Sequence, residues 1–181
     1  MSRTDGDRLV VFQDRLSELV HQFQHPQRRI GYGNLRYESS DWGQGDERAT
    51  NFAIIYETPG GSTAQINVTY EHAADQFAYL DETGSDRTTT RDVDSVIRYV
   101  QAQVDHIPAK RREVLFRQVD NWVDEGMAYG ALFAELNQLI QLEFVGGRIT
   151  HEELKEAIKR AYERRTGKKF TPEPGTSPTA P

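Results

Sequence analysis

Between Ala64 and Glu71 the chain alternates without a break. Ala64, Ile66, Val68 and Tyr70 are apolar or aromatic, while Gln65, Asn67, Thr69 and Glu71 between them are polar. Successive side chains of a strand point to opposite faces, so this stretch reads as a strand with one buried and one wet face. Such a strand needs neighbours along its edges and a second layer over its apolar face. The flanking sequence supplies the neighbours. RIGYGNLRYE and TNFAIIYE precede it, QFAYLDE follows it, and all are short, aromatic or β-branched and bounded by turn residues. Pro59-Gly60-Gly61 makes the tight turn before it, proline setting φ and glycine permitting positive φ. These segments predict a four-stranded antiparallel meander. The covering layer is a helix over residues 7–23, where Leu9, Phe12, Leu16, Leu19, Val20 and Phe23 share one stripe ahead of Pro26.

Beyond residue 84 the period becomes helical. The stretch TGSDRTTTR reads as a polar linker and helix cap. Val93, Val96, Ile97, Val100, Val104 and Ile107 then form one stripe, and Pro108 closes that helix and opens the next. The next helix presents Val114, Leu115, Val119, Trp122 and Val123 and stops at Gly126. Residues 127–144 carry only two charges, Glu135 and Glu143, and read as the most buried helix. Gly146-Gly147 turn the chain into a last helix over about residues 150–165, so the two form an αα-hairpin. The expected class is therefore α+β: an N-terminal helix, a four-stranded antiparallel meander, then a four-helix C-terminal region. Residues 1–84 form the helix and sheet, residues 85–166 a helical region packed on it or set apart as a small lobe, and residues 167–181 a disordered tail rich in proline.

Charge and composition narrow the function. There are no cysteines, which removes disulfides, thiolate metal sites and cysteine nucleophiles together. The net charge is -6, and between residues 37 and 107 four cations stand against thirteen acids, a local balance of -9. That field disfavours nucleic acid near the middle of the chain. Acids beside a short apolar patch at the N-terminus do not make a signal peptide, and no apolar run reaches the roughly 20 residues of a membrane span. The expectation is an acidic, cytoplasmic, bacterial protein with no membrane contact. Asn67-Val68-Thr69 is then a chance sequon inside a strand.

The common catalytic signatures do not occur. No G-x-x-x-x-G-K-[ST], G-x-G-x-x-G or G-x-S-x-G is present. His21 and His25 stand four apart, yet lack the glutamate of H-E-x-x-H, and helix geometry is lost before Pro26, so no metal site is assigned. Glu57 and Glu71 are separated by the Pro59-Gly60-Gly61 hairpin: if residue 57 pairs near 63, residue 71 lies near 49. The two carboxylates are then more than ~20 Å apart, too far for a shared acid–base step. No catalytic residue and no cofactor is assigned, and the chain reads as leaning away from an enzyme.

Two groups remain. Lys159, Arg160, Arg164, Arg165, Lys168 and Lys169 gather at the end of the last helix and are the candidates for nucleic-acid binding. The T-x-x-E capping box of Thr150 and Glu153 places carboxylates at that helix's start, where a DNA-reading helix would meet phosphates. Late cations simply complement the helix dipole. Tyr32, Tyr37 and Trp42 lie in or just after an irregular first strand, whose alternation slips at Gly33 and suggests a bulge at a sheet edge. Aromatics on an edge strand are anchors for a protein partner. The expected function is a non-catalytic adaptor, assembly factor or regulator acting through protein contacts, with a homo-oligomer among the options. The alternatives are nucleic-acid binding through the basic helix, and a motif-less enzyme or ligand binder with a pocket between sheet and helices.

Overall fold

The computed structural model describes residues 5–29, 31–59, 61–80, 84–136 and 149–170. It is α+β, and the chain divides into two compact units, residues 1–108 and 109–181.

The first unit opens with α1 (Asp5–Gln22) and the single turn α2 (Pro26–Arg29), followed by five strands: β1 (Arg36–Trp42), β2 (Ala49–Glu57), β3 (Thr63–Glu71), β4 (Gln76–Leu80) and β5 (Arg87–Thr90). They form one antiparallel sheet in chain order. Helix α3 (Val93–Asp105) completes the unit. The alternating strand behaves as expected: Ile66, Val68 and Tyr70 are buried, and Gln65 and Asn67 are exposed. From α1, Phe12, Leu16, Leu19 and Val20 are buried in the same core, and α3 adds Val96, Val100 and Val104. Phe12 is the keystone, its ring 5.0 Å from Phe52 on β2 and 4.8 Å from Phe77 on β4. Tyr79 of β4 stacks on Tyr99 of α3 at 4.1 Å.

Three features depart from the sequence expectation. The sheet has five strands, not four, because the polar stretch before α3 contains β5, paired with β4 from Phe77↔Thr90 to Leu80↔Arg87. Its threonines are β-branched and suit a pleated surface, yet a strand with hydroxyls on both faces carries no apolar alternation to read. The first strand starts at Arg36, after a turn in which Gly33 and Asn34 have φ of 63° and 52°, so Gly33 belongs to a turn and not to a bulge. The short helices at Pro26–Arg29 and Gly45–Glu47 were not anticipated. Asp92 caps α3 as expected, accepting from the backbone N–H groups of Asp94 and Ser95.

The second unit contains most of α4 (Ile107–Asp124), a helical segment α5 described over residues 129–136, and α6 (His151–Thr166). Leu115, Val119 and Val123 of α4 meet Leu132 and Leu136 of α5 and Leu154, Ile158 and Ala161 of α6 in a separate core. Both halves of the capping box are formed. The Thr150 hydroxyl accepts from the Glu153 N–H, and the Glu153 carboxylate accepts from the Thr150 N–H. That bond, with Arg112 beside it, holds the Glu153 carboxyl below the usual glutamate range. The remainder of the expected 127–144 helix, the Gly146-Gly147 turn and the tail from residue 171 lie outside the described residues.

Candidate functional site

The end of β1 presents two different surfaces, because Asp41 and Trp42 are consecutive residues of a strand and point to opposite faces. Asp41 lies opposite Thr50, and Trp42 opposite Ala49. Asp41 therefore shares the helix-covered face with Phe52 and Ile54, and Trp42 shares the other face with Ala49 and Glu71.

On the covered face, Thr50 is buried at 4% exposure in a row otherwise made of Phe52, Ile54 and Tyr56. Its hydroxyl donates to Asp41 Oδ1 at 2.6 Å and meets His72 Nε2 at 2.9 Å. A hydroxyl has one hydrogen, and it goes to the carboxylate, so His72 Nε2 carries the proton of the second bond. Arg48 lies 3.4 Å from Asp41, and its carbonyl accepts from the His72 N–H at 3.1 Å. The bond from Thr50 holds the Asp41 carboxyl below its ordinary value; Arg48 and His72 push in the same direction, and partial desolvation opposes them. These residues line a cleft of about 310 Å³ beside Leu9 and Gln13 of α1. A nucleophilic hydroxyl needs an open approach and a base positioned to accept its proton. Thr50 is only 4% exposed, and its bonds join β1, β2 and the turn after β3. The Asp75 carboxylate extends this frame by accepting from the Tyr70 hydroxyl at 2.7 Å and pairing with Arg8 of α1.

The pH dependence follows from the sign of the Asp41 shift. A carboxyl depressed in the folded state contributes stability that is present above its unfolded value near 3.8 and lost as pH falls through the folded one. The thermal midpoint of the wild type is expected to exceed that of Asp41→Asn at pH 7, and the gap to close below pH 3.8. A gap that is unchanged at pH 2.5, or about that value, contradicts this assignment.

On the opposite face Trp42 is 56% exposed. It lines a cleft of about 560 Å³ together with Ala49, Ala73 and Ala74 and the charged residues Asp46, Glu47, Arg48 and Glu71. The loop that shapes it is tight. Gly43 has φ of 75°, and an added Cβ would stand 2.3 Å from the Glu47 carbonyl oxygen. Arg87 and Gln76 both bond to Glu71 on the β4–β5 side. β1 is the first strand of the sheet, and no described strand pairs with its outer edge. Six of its seven residues are exposed.

The three aromatic candidates do not form one patch. Tyr32 and Tyr37 are half-buried against the core; Tyr32 packs 4.4 Å from Phe23, and Tyr37 lies opposite Ile54. Trp42 alone is open, on the face opposite Tyr37 and five residues along the strand. Three of the six basic candidates are engaged within their own unit. Arg164 pairs with Asp120 at 3.1 Å and with Asp124 at 3.4 Å, and Asp120 raises its affinity for its proton. Lys159 pairs with Glu156, and Arg165 donates to the Val123 carbonyl. Arg160 lines a cleft with Arg112, Phe116 and Glu153, while Lys168 and Lys169 are exposed. His25 lies beyond the end of α1 at Gln22, so His21 and His25 do not share a helical face. Glu57 pairs with Thr63 and Glu71 with Ala49, which places the two acids about 25 Å apart along the hairpin.

Comparison with known proteins finds no match to a family model, to a characterised protein or to a solved structure. No described helix is long and apolar enough to cross a membrane.

Proposed function

We propose that this is a non-catalytic protein that acts through protein contacts, as an adaptor, assembly factor or regulator. The observation that carries the proposal is the outer edge of β1. Seven residues of strand end in an open tryptophan beside a cleft lined by three alanines and four charged side chains, next to the hydrogen bonds that join Asp41, Thr50 and His72. Unpaired edge amides and carbonyls supply hydrogen bonds to an incoming chain, and a rigid aromatic at the end supplies an anchor. Exposed edges are otherwise a hazard that proteins blunt, here with Arg36, Glu38 and Asp41 along the strand. Nucleic-acid binding through α6 has weaker support, since Lys159, Arg164 and Arg165 already have acceptors on their own unit.

The test is capture of partners from nuclease-treated lysate at ~0.3 M salt, where exposed-charge attractions are strongly screened. A near-stoichiometric protein is expected with the wild type and at least about tenfold less with Trp42→Ala, the size of a modest anchor residue. Equal recovery by the two proteins, or companions that vanish with nuclease, would contradict the proposal.

A further inference from the structure

β1 can pair with itself, and its sequence selects one register. Closing two copies about a two-fold axis requires an antiparallel pair in which some residue faces its own copy. Within Arg36–Trp42 three centres leave five or more residues paired. Centring on Glu38 sets that carboxylate against itself, and like charges directly opposite are destabilising. Centring on Ser40 drops two residues from the ladder and sets Glu38 against Trp42. Centring on Ser39 uses all seven residues. It places Arg36 opposite Trp42, Tyr37 opposite Asp41 and Glu38 opposite Ser40, with no like charges facing. Arg36 and Trp42 share the open face of the sheet, where a guanidinium can lie over an indole that is already half exposed. Among the described residues the Arg36 side chain pairs with Glu38, at a long 3.6 Å in a solvent-exposed position, so little holds it away from an indole there.

Resting on the reading of this edge as a contact surface, we propose that its occupant is a second copy of this chain, added antiparallel about Ser39. The two five-stranded sheets then run on as one, with α1 and α3 of both copies on the same face. A seven-residue ladder buries less than the ~1,200 Å² of a standard interface, so the dimer is weak and dependent on concentration.

The chain has no cysteine, so introduced thiols report the register without background. Directly opposed residues have Cα atoms about 4.5 or 5.5 Å apart, within disulfide range. Residues offset by two positions stand about 8 Å apart, beyond it. Under mild oxidation the full-length Ser39→Cys protein is expected to cross-link at least tenfold faster than either Glu38→Cys or Ser40→Cys. All three positions are exposed, so folding is not at issue. Adding Trp42→Arg to Ser39→Cys sets arginine against Arg36 and should slow the reaction several-fold, and adding Arg36→Trp as well should restore it. Equal rates at the three positions, fastest cross-linking at Ser40→Cys, or no rescue by the double swap would overturn the proposal. So would a wild type that sediments as a monomer at every concentration. A monomer that still captures a different protein through Trp42 overturns self-pairing alone and leaves the contact function standing.

Discussion

Phe12→Ala is expected to lower the stability of the first unit by about 4 kcal/mol, the mid-range cost of emptying a fully buried phenylalanine site. Phe12 is 0% exposed and is the point where α1 meets both the second and the fourth strand, through Phe52 and Phe77. Its loss removes buried area and two ring contacts, and the space it leaves is walled by side chains anchored in the sheet, which cannot collapse inward. Leu16 and Leu19, one and two turns on, keep α1 in place while the hole persists. Urea unfolding followed by far-ultraviolet circular dichroism measures the effect. A loss below about 1.5 kcal/mol would mean that α1 is not clamped at this position.

Gly33→Ala is the second large effect, at about 3 kcal/mol. Two causes add: left-handed backbone costs a non-glycine residue about 1 kcal/mol, and overpacking costs a further 1–3 kcal/mol or so. Gly33 has φ of 63°, and a Cβ there would stand 2.3 Å from the Glu57 carbonyl oxygen and 2.9 Å from its nitrogen. Those are backbone atoms of β2 and cannot swing aside as a side-chain tip would. The Gly33 carbonyl accepts the Glu57 N–H at 2.7 Å, and the neighbouring Asn34 donates to the Glu57 carboxylate at 2.6 Å while accepting from Arg29. The substitution therefore pushes apart the junction that delivers the chain to β1. Thermal denaturation of the variant should show the loss together with earlier proteolysis between residues 29 and 36. An unchanged midpoint would show that the turn relaxes at no cost.

Much of this architecture is legible in the chain because one physical signal dominates each segment. The alternation from Ala64 to Tyr70 specifies both the strand and its buried face. The hairpin read between the second and third strands implies a register, and Glu57 does pair with Thr63 and Glu71 with Ala49. The stripe of α1 and the capping box of α6 were equally plain. β5 was hidden because Arg87–Thr90 lacks apolar residues, and pairing with β4 decides its conformation. The start of β1 was misjudged because Tyr32 and Leu35 fit an apolar pattern, while positive φ at Gly33 and Asn34 breaks the strand there.

The site was less visible. Trp42 could be named from its place after an edge strand, but its separation from Tyr32 and Tyr37 depends on which face each occupies. The Asp41–Thr50–His72 chain joins residues far apart in sequence, and one polar residue was its only local trace. Thr50 falls in the inward row with Phe52, Ile54 and Tyr56, where an unpaired hydroxyl would be costly. A polar residue in an apolar row asks for partners, and Asp41 and His72 supply them.

The most direct measurement is amide hydrogen exchange across residues 36–42, first on dilute protein and then at high concentration or with a captured partner. Unpaired edge amides exchange readily, and an added strand protects alternate ones. Contact through this edge predicts new protection within Arg36–Trp42, lost again in Trp42→Arg. Protection that appears only on α6, with β1 exchanging as fast as before, would contradict it.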